Sequence, residues 1–152
     1  MRLTNRLLLL ALLAVACAKR SDHAPAADSP AAASVAPAGL AGTKWKLVKF
    51  TGGNDSTRIP VDLDKYNIAF GADGKVSVQA DCNRGAGTWS SPEPSRLKFS
   101  ALATTRAMCP PGSLSDKFLG DFQYMTSWIQ RNGNLYISLM ADAGIYEFQP
   151  AP

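Results

Sequence analysis

The sequence predicts an α+β, mainly β domain, a small and partly open antiparallel β-barrel of about eight strands with one covering α-helix. Three observations support this prediction. Short runs of alternating apolar and polar residues, separated by turn residues, recur from Leu40 onward. An Asn132-Gly133 pair lies between two such runs, which is typical of a two-residue β-hairpin. One segment, after a Pro-Pro-Gly turn at 110–112, has helical rather than strand periodicity.

The start of the chain has the features of an export signal. Arg2 and Arg6 flank the beginning of an apolar run at 7–16, which is too short to cross a bilayer as a helix. Residues 1–16 are therefore predicted to be a signal peptide of the lipoprotein type. The Ala-Val-Ala sequence at 14–16 followed by Cys17 resembles a bacterial lipobox, in which the cysteine thiol is lipidated. The same three residues also fit ordinary signal peptidase, which would leave Cys17 simply as the mature N-terminus.

The lipobox determines the expected location. Ala18 stands where Asp would resemble an inner-membrane retention signal, so we expect an outer membrane lipoprotein facing the periplasm. The alternative is a soluble periplasmic or secreted protein. The chain has 16 Lys and Arg against 12 Asp and Glu, but from Leu40 onward the counts are 12 and 10. The excess of positive charge thus belongs largely to the leader and its surroundings, and nucleic acid is not expected as a partner.

Residues 17–39 are predicted to be a lipidated cysteine followed by a tether rich in Ala and Pro, and residues 40–152 to be the folded domain. The tether lacks aromatic residues and holds few large aliphatic ones, so it cannot bury enough apolar surface to fold. The chain's single histidine, His23, lies in this tether and is expected to be solvated. A zinc site with several imidazoles is excluded, and neither a metal nor a cofactor is expected.

The first predicted strand covers residues 43–50. Trp45 and Leu47 share one face, whereas Val48 and Phe50 have the opposite parity. A β-bulge between the two pairs would place all four apolar side chains on the core side.

A β-hairpin is predicted after a polar loop at 52–64. Its apolar residues alternate on both strands, and a turn at 71–74 joins them: Tyr66, Ile68, Phe70, Val76, Val78 and Ala80. Cys82 continues the same parity, so its sulfur is expected to point inward. Further strands are expected at 87–90, which carries Trp89, and at 96–100, with Leu97 and Phe99 inward.

The helix is predicted to begin after Ser113, with Ser113 as N-cap and Asp116 completing a capping-box pattern. One apolar stripe follows at steps of four, four and three residues, on Leu114, Phe118, Phe122 and Met125.

The last hairpin is predicted over residues 127–139, with Asn132-Gly133 as its turn. Counting outward from this turn pairs Gln130 with Leu135, Ile129 with Tyr136 and Trp128 with Ile137. A final strand is predicted at 145–149.

Three segments together resemble the META domain of HslJ-like heat-shock lipoproteins: AGTKWKLV at 41–48, ADCNRGAGTW at 80–89 and TTRAMCPPGSL at 104–114. The family motif residues fall on Gly42, Trp45, Phe70, Gly74, Cys82, Asn83, Gly87, Thr105, Arg106 and Cys109. Asp81 departs from the family pattern, which commonly has Gly there. The resemblance implies an envelope location, a curled antiparallel sheet with one helix, and links to heat stress and novobiocin tolerance. It implies no reaction.

Cys82 and Cys109 are predicted to form a structural disulfide. If Cys17 is lipidated, these two remain as an even pair in an oxidising compartment. The bond would close a loop of about 28 residues and stabilise the fold by roughly 3.5 kcal/mol. A redox pair would more often have Cys-x-x-Cys spacing, and no histidine or carboxylate cluster accompanies the thiols to form a metal site.

This disulfide would bring Asn83 and Arg84 close to Thr105 and Arg106. A patch that recognises an anion or a peptide is one interpretation of these residues. The favoured interpretation is structural, with the amide and the guanidinium groups bonded to nearby backbone or to a carboxylate.

Other candidate residues give weaker signals. Trp89 and Trp128 are possible ligand-lining residues, although aromatic residues on alternating strands more often belong to the core. Lys44, Lys46 and Lys49 are interpreted as a solvated strand face, and Asp62 and Asp64 as solvated loop residues rather than paired acid–base groups.

The sequence therefore predicts a non-catalytic envelope lipoprotein. It would be held at the outer membrane by its lipid anchor and would act through an envelope protein or a ligand, contributing to envelope stress or antibiotic tolerance. The alternative is a carrier that binds a lipid or small apolar molecule in an open barrel. No catalytic motif is recognised, so we do not expect an enzyme.

Overall fold

A computed structural model of the chain describes residues 39–152. The predictions for the signal peptide, for Cys17 and for the tether up to residue 38 lie outside the described residues. Within residues 39–152, the helices are too short or too polar to cross a membrane.

The described residues form ten β-strands, one α-helix and three short 3-10 helices. The strands are Thr43–Gly52 (β1), Thr57–Arg58 (β2), Tyr66–Phe70 (β3), Lys75–Ala80 (β4), Asn83–Ser90 (β5), Lys98–Phe99 (β6), Ala103–Thr104 (β7), Met125–Arg131 (β8), Asn134–Leu139 (β9) and Gly144–Pro150 (β10). The α-helix is Ser115–Asp121 (α1), and the 3-10 helices are Leu63–Lys65, Phe122–Tyr124 and Met140–Asp142.

Eight of these strands form one antiparallel sheet in the order β6-β5-β4-β3-β1-β10-β9-β8. The short strand β2 pairs with β1, and β7 pairs with β5. A bridge between Arg96 and Ser127 links the segment before β6 to β8 and nearly closes the sheet into a barrel. The backbone N–H of Leu97 strengthens this link by donating to the carbonyl of Thr126 at 2.9 Å. The predicted fold class, a mainly β barrel with one covering helix, is therefore confirmed.

The barrel interior is filled by side chains. The five largest fully buried ones are aromatic and come from the sheet, from α1 and from the 3-10 turn after it: Phe70, Phe118, Phe122, Tyr146 and Phe148. Phe118 of α1 lies 5.3 Å from Tyr146 and 6.1 Å from Phe148, measured between ring centroids. The helix therefore closes one end of the barrel with a side chain that belongs to the core.

The structure confirms the bulge in β1, where the pairing register with β10 shifts between Leu47 and Lys49. The bulge leaves Val48 unpaired and half-buried. The expectation that all four apolar residues reach the core was therefore wrong for Val48. Trp45, Leu47 and Phe50 are buried as predicted.

Both predicted hairpins are confirmed. Strands β3 and β4 bury all six alternating residues, and Ile68 pairs with Val78 at the centre. In the last hairpin, β8 and β9 pair in the predicted register around Asn132 and Gly133, whose φ angles are +52° and +80°.

The helix is shorter than predicted. It ends at Asp121, a 3-10 turn continues to Tyr124, and Met125 already begins β8. Ser113 lies before the N-cap, which is Leu114, and the predicted capping box does not form. The apolar stripe predicted too long a helix because all three residues face the same core. Phe118 does so from α1, Phe122 from the 3-10 helix and Met125 from β8.

The packing of Phe118 generates a prediction. Phe118→Ala should lower the free energy of unfolding by about 3–5 kcal/mol, because the ring is fully buried and contacts four aromatic residues. Tyr124→Ala is the matched control, because Tyr124 is 44% exposed. Urea unfolding followed by tryptophan fluorescence measures both. Equal losses in the two variants would contradict the placement of the helix.

Candidate functional site

The two cysteine-containing motifs meet at the helix-covered end of the barrel. Cys82 and Cys109 form a disulfide, with their Cα atoms 5.5 Å apart, which confirms the predicted pairing. The expectation that Cys82 points inward was wrong, because Asp81 and Cys82 form a tight turn and Cys82 is exposed. Ala80 pairs directly with Asn83 across this turn, so the inward position passes to Asn83. Asp81 adopts a φ of +54°, the conformation for which the family's Gly is suited.

Asn83 is only 1% exposed, and its side-chain amide uses all of its hydrogen-bonding capacity. Its Nδ2 donates to the carbonyl of Ala107 and to Oγ of Ser115, both at 3.0 Å, with Sγ of Cys109 at 3.4 Å. Its Oδ1 accepts from the backbone N–H of Ala107 at 2.7 Å and from Oγ1 of Thr105 at 3.0 Å. One amide thus connects the β4–β5 turn, the segment before Cys109 and the start of α1.

Thr105 attaches the segment before Cys109 to β5. Its backbone N–H donates to the carbonyl of Arg84, and its Oγ1 accepts from the N–H of Arg84, both at 2.9 Å. Strand β7, immediately before, pairs Ala103 with Ala86 and Thr104 with Gly85. Residues 103–107 are therefore an extended arm held along β5 and fastened at its end by Asn83 and the disulfide.

The remaining family motif positions have structural roles. Gly87 lies under the segment that precedes the arm, where an added Cβ would come within 2.9 Å of both Ser100 Oγ and Leu102 Cδ2. Gly42 has a φ of +73° at the entry to β1. Trp45 is buried in the core.

The helix is fastened to the barrel at both of its ends. Near its start, the backbone N–H of Leu114 donates to the hydroxyl of Tyr66 at 2.8 Å. Near its end, the hydroxyl of Tyr146 donates to Oδ2 of Asp121 at 2.7 Å, and Lys117 forms an ion pair with the same oxygen at 2.7 Å. Burial, and next the hydrogen bond to Asp121, raise the pKa of Tyr146 far above its usual value.

Between the arm and the helix runs a surface groove of about 700 Å³. Residues 100–102 and 104–108 line one side, and Asp116, Leu119, Gly120, Phe122 and Gln123 line the other. At its floor, Leu102 and Leu119 converge over Gly85, where an added Cβ would lie 3.3 Å from each of them. Met108 stands at the rim and is fully exposed. We call this feature the seam groove, because it lies between β7 and the helical segment at the edge of the sheet where β7 has no second strand.

Arg106 differs from the other motif residues. Its side chain lines the seam groove, is exposed, and forms no ion pair or hydrogen bond with another described residue. The structural interpretation is thus correct for Asn83 and Thr105. Within residues 39–152 it has no support for the guanidinium groups of Arg84 and Arg106, which are both exposed, and of these two only Arg106 lines the seam groove.

The structure places the other candidate residues away from this groove. Trp89 is buried and donates from Nε1 to the carbonyl of Gly71 at 3.1 Å, and Trp128 packs against the core and donates to Oγ of Ser91 at 3.3 Å. Neither tryptophan lines the seam groove, so the proposed ligand-lining role finds no support in the described residues.

The lysine face carries ion pairs. Lys46 pairs with Asp64, and Lys49 pairs with Glu147 at 3.1 Å. Asp62 lies 3.9 Å from Lys65, and Lys44 donates to the carbonyl of Pro152 at 3.3 Å. Residues 39–152 contain no group of three His, Cys, Asp or Glu side chains able to hold a metal ion.

Sequence reasoning missed four residues of the site, namely Ser115, Leu119, Asp121 and Tyr146. Ser115 and Leu119 lie on a helix whose length was overestimated, and the bond between Tyr146 and Asp121 joins elements 25 positions apart. The extended form of residues 83–86 was also missed, since Asn-Arg-Gly-Ala has no apolar alternation. A Cβ on Gly85 would fit tightly, at 3.3 Å from Leu102 and Leu119 and 3.4 Å from Thr104, which no local sequence pattern indicates.

Comparison with known proteins agrees with the fold of the described residues. A family model described as META domain matches residues 38–151. The chain is similar to an NMR structure of a protein from Burkholderia xenovorans, with 20% identity and a TM-score of 0.62, covering 74% of this chain and 83% of that one. It is also similar to a crystal structure of a DUF4847 family protein from Bacteroides vulgatus, with 16% identity and a TM-score of 0.54, covering 72% of this chain and 93% of that one. At these identities, the likeness concerns the fold alone. The search of curated proteins gives no match.

The bonds of Asn83 generate a prediction. Asn83→Ala should lower the free energy of unfolding by about 2–4 kcal/mol, because it removes the bonds to Ala107 and Thr105 and leaves the buried hydroxyl of Ser115 without its partner. Arg84→Ala is the control, because that neighbouring side chain is exposed. Chemical denaturation without reductant measures both variants. A loss below about 0.5 kcal/mol for Asn83→Ala would contradict the role of this amide.

Tyr146 generates a prediction about pH. Because its pKa is raised in the folded protein, its contribution to stability is complete below pH 10.0, its ordinary pKa, and is lost as the pH rises above that value. Wild-type protein should therefore lose more stability between pH 8 and pH 11 than Tyr146→Phe, which cannot ionise there. Urea midpoints at the two pH values give this difference. Identical losses would refute the assignment.

Proposed function

We propose that this chain, which belongs to the META domain family, is a non-catalytic cell-envelope lipoprotein. It would act by binding another envelope protein. Lipidated Cys17 would hold it at the outer membrane, and residues 18–39 would act as a tether. Any contribution to envelope stress or antibiotic tolerance would then follow from binding and not from a reaction.

The observation that carries this proposal is the construction of the seam groove. Its arm is fixed by a disulfide and by the Asn83 amide, and its helical wall is fixed by Tyr66 and Tyr146. Recognition sites are most precise when their side chains stand on such rigid supports. Among residues 39–152, Arg106 has no hydrogen-bond or ion-pair partner for its guanidinium, so this group can bind another molecule.

The disulfide supports an exported location. Cys82 is exposed, so a reducing cytosol would have access to the bond, whereas the periplasm and outer membrane are oxidising. The bond is also part of the groove, because it fastens the arm. Export and groove formation are therefore coupled in this proposal.

The position of the N-terminal connection fits a tethered protein. Gly39 lies beside the last hairpin, where its carbonyl accepts from Nε2 of Gln130 at 3.0 Å. From there β1 runs toward Gly52, and the antiparallel order places the Asp81-Cys82 turn at that far end. A domain attached through Gly39 would present the disulfide and the adjoining end of the groove away from its attachment.

The titratable groups near the helix do not suggest catalysis. The hydroxyl of Tyr146 and the ammonium of Lys117 share the carboxylate of Asp121. Tyr146 is 1% exposed, and burial holds its pKa far above the neutral range, so it donates a hydrogen bond and cannot act as a base. This cluster is best explained as the fastening of α1.

The carrier alternative is less well supported. The barrel interior is filled by packed side chains, so a ligand has no space there. The largest of these side chains are Phe70, Phe118, Phe122, Tyr146 and Phe148. A small apolar molecule would have to bind in the seam groove, which is open to solvent and has roughly as many polar as apolar lining residues. Sites for such molecules are usually enclosed and mostly apolar.

Lipidation generates a prediction. Cells that express the full chain and receive an alkyne-labelled palmitate should incorporate label into wild-type protein and not into Cys17→Ser. The double variant Cys82→Ser/Cys109→Ser is the matched control. It removes the other two thiols and should keep its label.

The outcomes separate the two interpretations of the leader. Label that depends on Cys17 alone supports the lipoprotein. Equal labelling of wild type and Cys17→Ser, or labelling of neither, would contradict a lipid anchor and favour a soluble periplasmic or secreted protein.

A further inference from the structure

We propose that the seam groove binds an extended peptide segment of a partner protein, which adds to the open edge of β7 and places an acidic and a basic side chain against Arg106 and Asp116. This proposal rests on the proposed function insofar as both require a non-catalytic binding protein. It adds the chemical class of the partner and the residues that select it.

The edge of β7 is available for strand addition. Strand β7 pairs with β5 on one side, and within residues 39–152 no strand pairs with its other edge. At the opposite end of the barrel, the bridge between Arg96 and Ser127 closes the same seam. At the β7 end a helix stands in place of the missing strand. Extended peptides commonly bind by adding a strand to such an edge.

The floor of the groove offers apolar contact to such a peptide. Leu102 and Leu119 meet over Gly85 and are partly buried, while Met108 is fully exposed at the rim. In a bound strand, alternate side chains would face this floor, and the intervening ones would face solvent. Met108 is an adaptable side chain of the kind found at peptide-binding surfaces.

The charges of the groove specify the partner further. Ala107 and Ser115 both bond to Asn83, so the neighbouring Arg106 and Asp116 lie at the same end of the groove on opposite walls. No ion pair within 4.0 Å joins these two to each other or to another described charge. A guanidinium binds a carboxylate through two hydrogen bonds, and Asp116 attracts a cation. Because Arg106 and Asp116 do not pair with each other, they are complementary to a peptide that carries one acidic and one basic side chain.

The shape of the groove favours a peptide over a small molecule. Arg106, Ala107, Met108, Asp116, Gly120 and Gln123 are all exposed along its walls. A small ligand would remain largely in solvent there, whereas a peptide gains from the backbone hydrogen bonds of the strand edge in addition to side-chain contacts.

The test is a selection from random octapeptides displayed within a loop, so that no peptide terminus is free. The full chain, purified in a mild detergent, serves as bait without reductant. Wild type is compared with Arg106→Gln, with the charge-reversed pair Arg106→Glu/Asp116→Lys, and with Arg131→Glu as control. Arg131 is an exposed arginine at the end of β8 and is not among the groove-lining residues.

Wild type and Arg131→Glu should enrich the same peptides, which combine apolar residues at alternate positions with one acidic and one basic residue. Synthetic copies of these peptides should bind Arg106→Gln at least tenfold more weakly. The charge-reversed pair should enrich peptides with the two charges exchanged. Bound peptide should also slow hydrogen exchange of β7 backbone amides, which distinguishes strand addition from contact through side chains alone.

Three results would overturn the proposal. These are no enrichment by wild type, equal affinity of the selected peptides for wild type and Arg106→Gln, or unchanged exchange in β7 on binding. The proposed lipoprotein function is judged separately by the label on Cys17. A lipidated protein without peptide binding would refute only this inference, and peptide binding by an unlipidated protein would refute only the anchor.

Discussion

The structure depends most directly on the buried amide of Asn83. A two-residue turn places it inward, beneath the helix, where its donors and acceptors are all taken up by the arm and by Ser115. A buried amide with unmade bonds would cost about 1–3 kcal/mol for each group, so this side chain permits one arrangement of its surroundings. The arm, the helix start and the β4–β5 turn consequently keep a fixed geometry, and the disulfide between Cys82 and Cys109 fastens the same junction covalently.

This junction explains why the barrel is closed at one end of its seam and open at the other. Near β6, backbone pairing with β8 closes the sheet. Near β7, Asn83 and the disulfide hold the arm on β5, while Asp121 and Tyr146 hold the helix on the opposite side. The space between two independently fastened walls is the seam groove. Its apolar floor, its open strand edge and the charges of Arg106 and Asp116, which form no ion pair with the rest of the described chain, are consequences of how the two walls are fixed.

The sequence predicted those parts of the fold that local pattern determines. Alternation identified the β3–β4 hairpin, and Asn132-Gly133 set the register of the last hairpin, because a two-residue turn leaves no freedom in pairing. The disulfide followed from cysteine count. Strand alternation gave the wrong orientation for Cys82, because a turn reverses the parity there. Helical spacing gave the wrong element for Met125, which belongs to β8 although it lies three residues after Phe122. The groove itself depends on the approach of distant elements, such as Leu102 and Leu119 to Gly85, which no local pattern encodes.

Hydrogen exchange at the backbone N–H of Ala107, followed by NMR in the oxidised protein, shows whether the Asn83 amide holds the arm. Ala107 is exposed, belongs to no strand, and donates to Oδ1 of Asn83 at 2.7 Å. The account predicts exchange at least a hundredfold slower than in an unstructured peptide, and a return to the peptide rate in Asn83→Ala while β3 and β4 remain protected. Rapid exchange at Ala107 in the wild-type protein would show that the arm is not held by this amide.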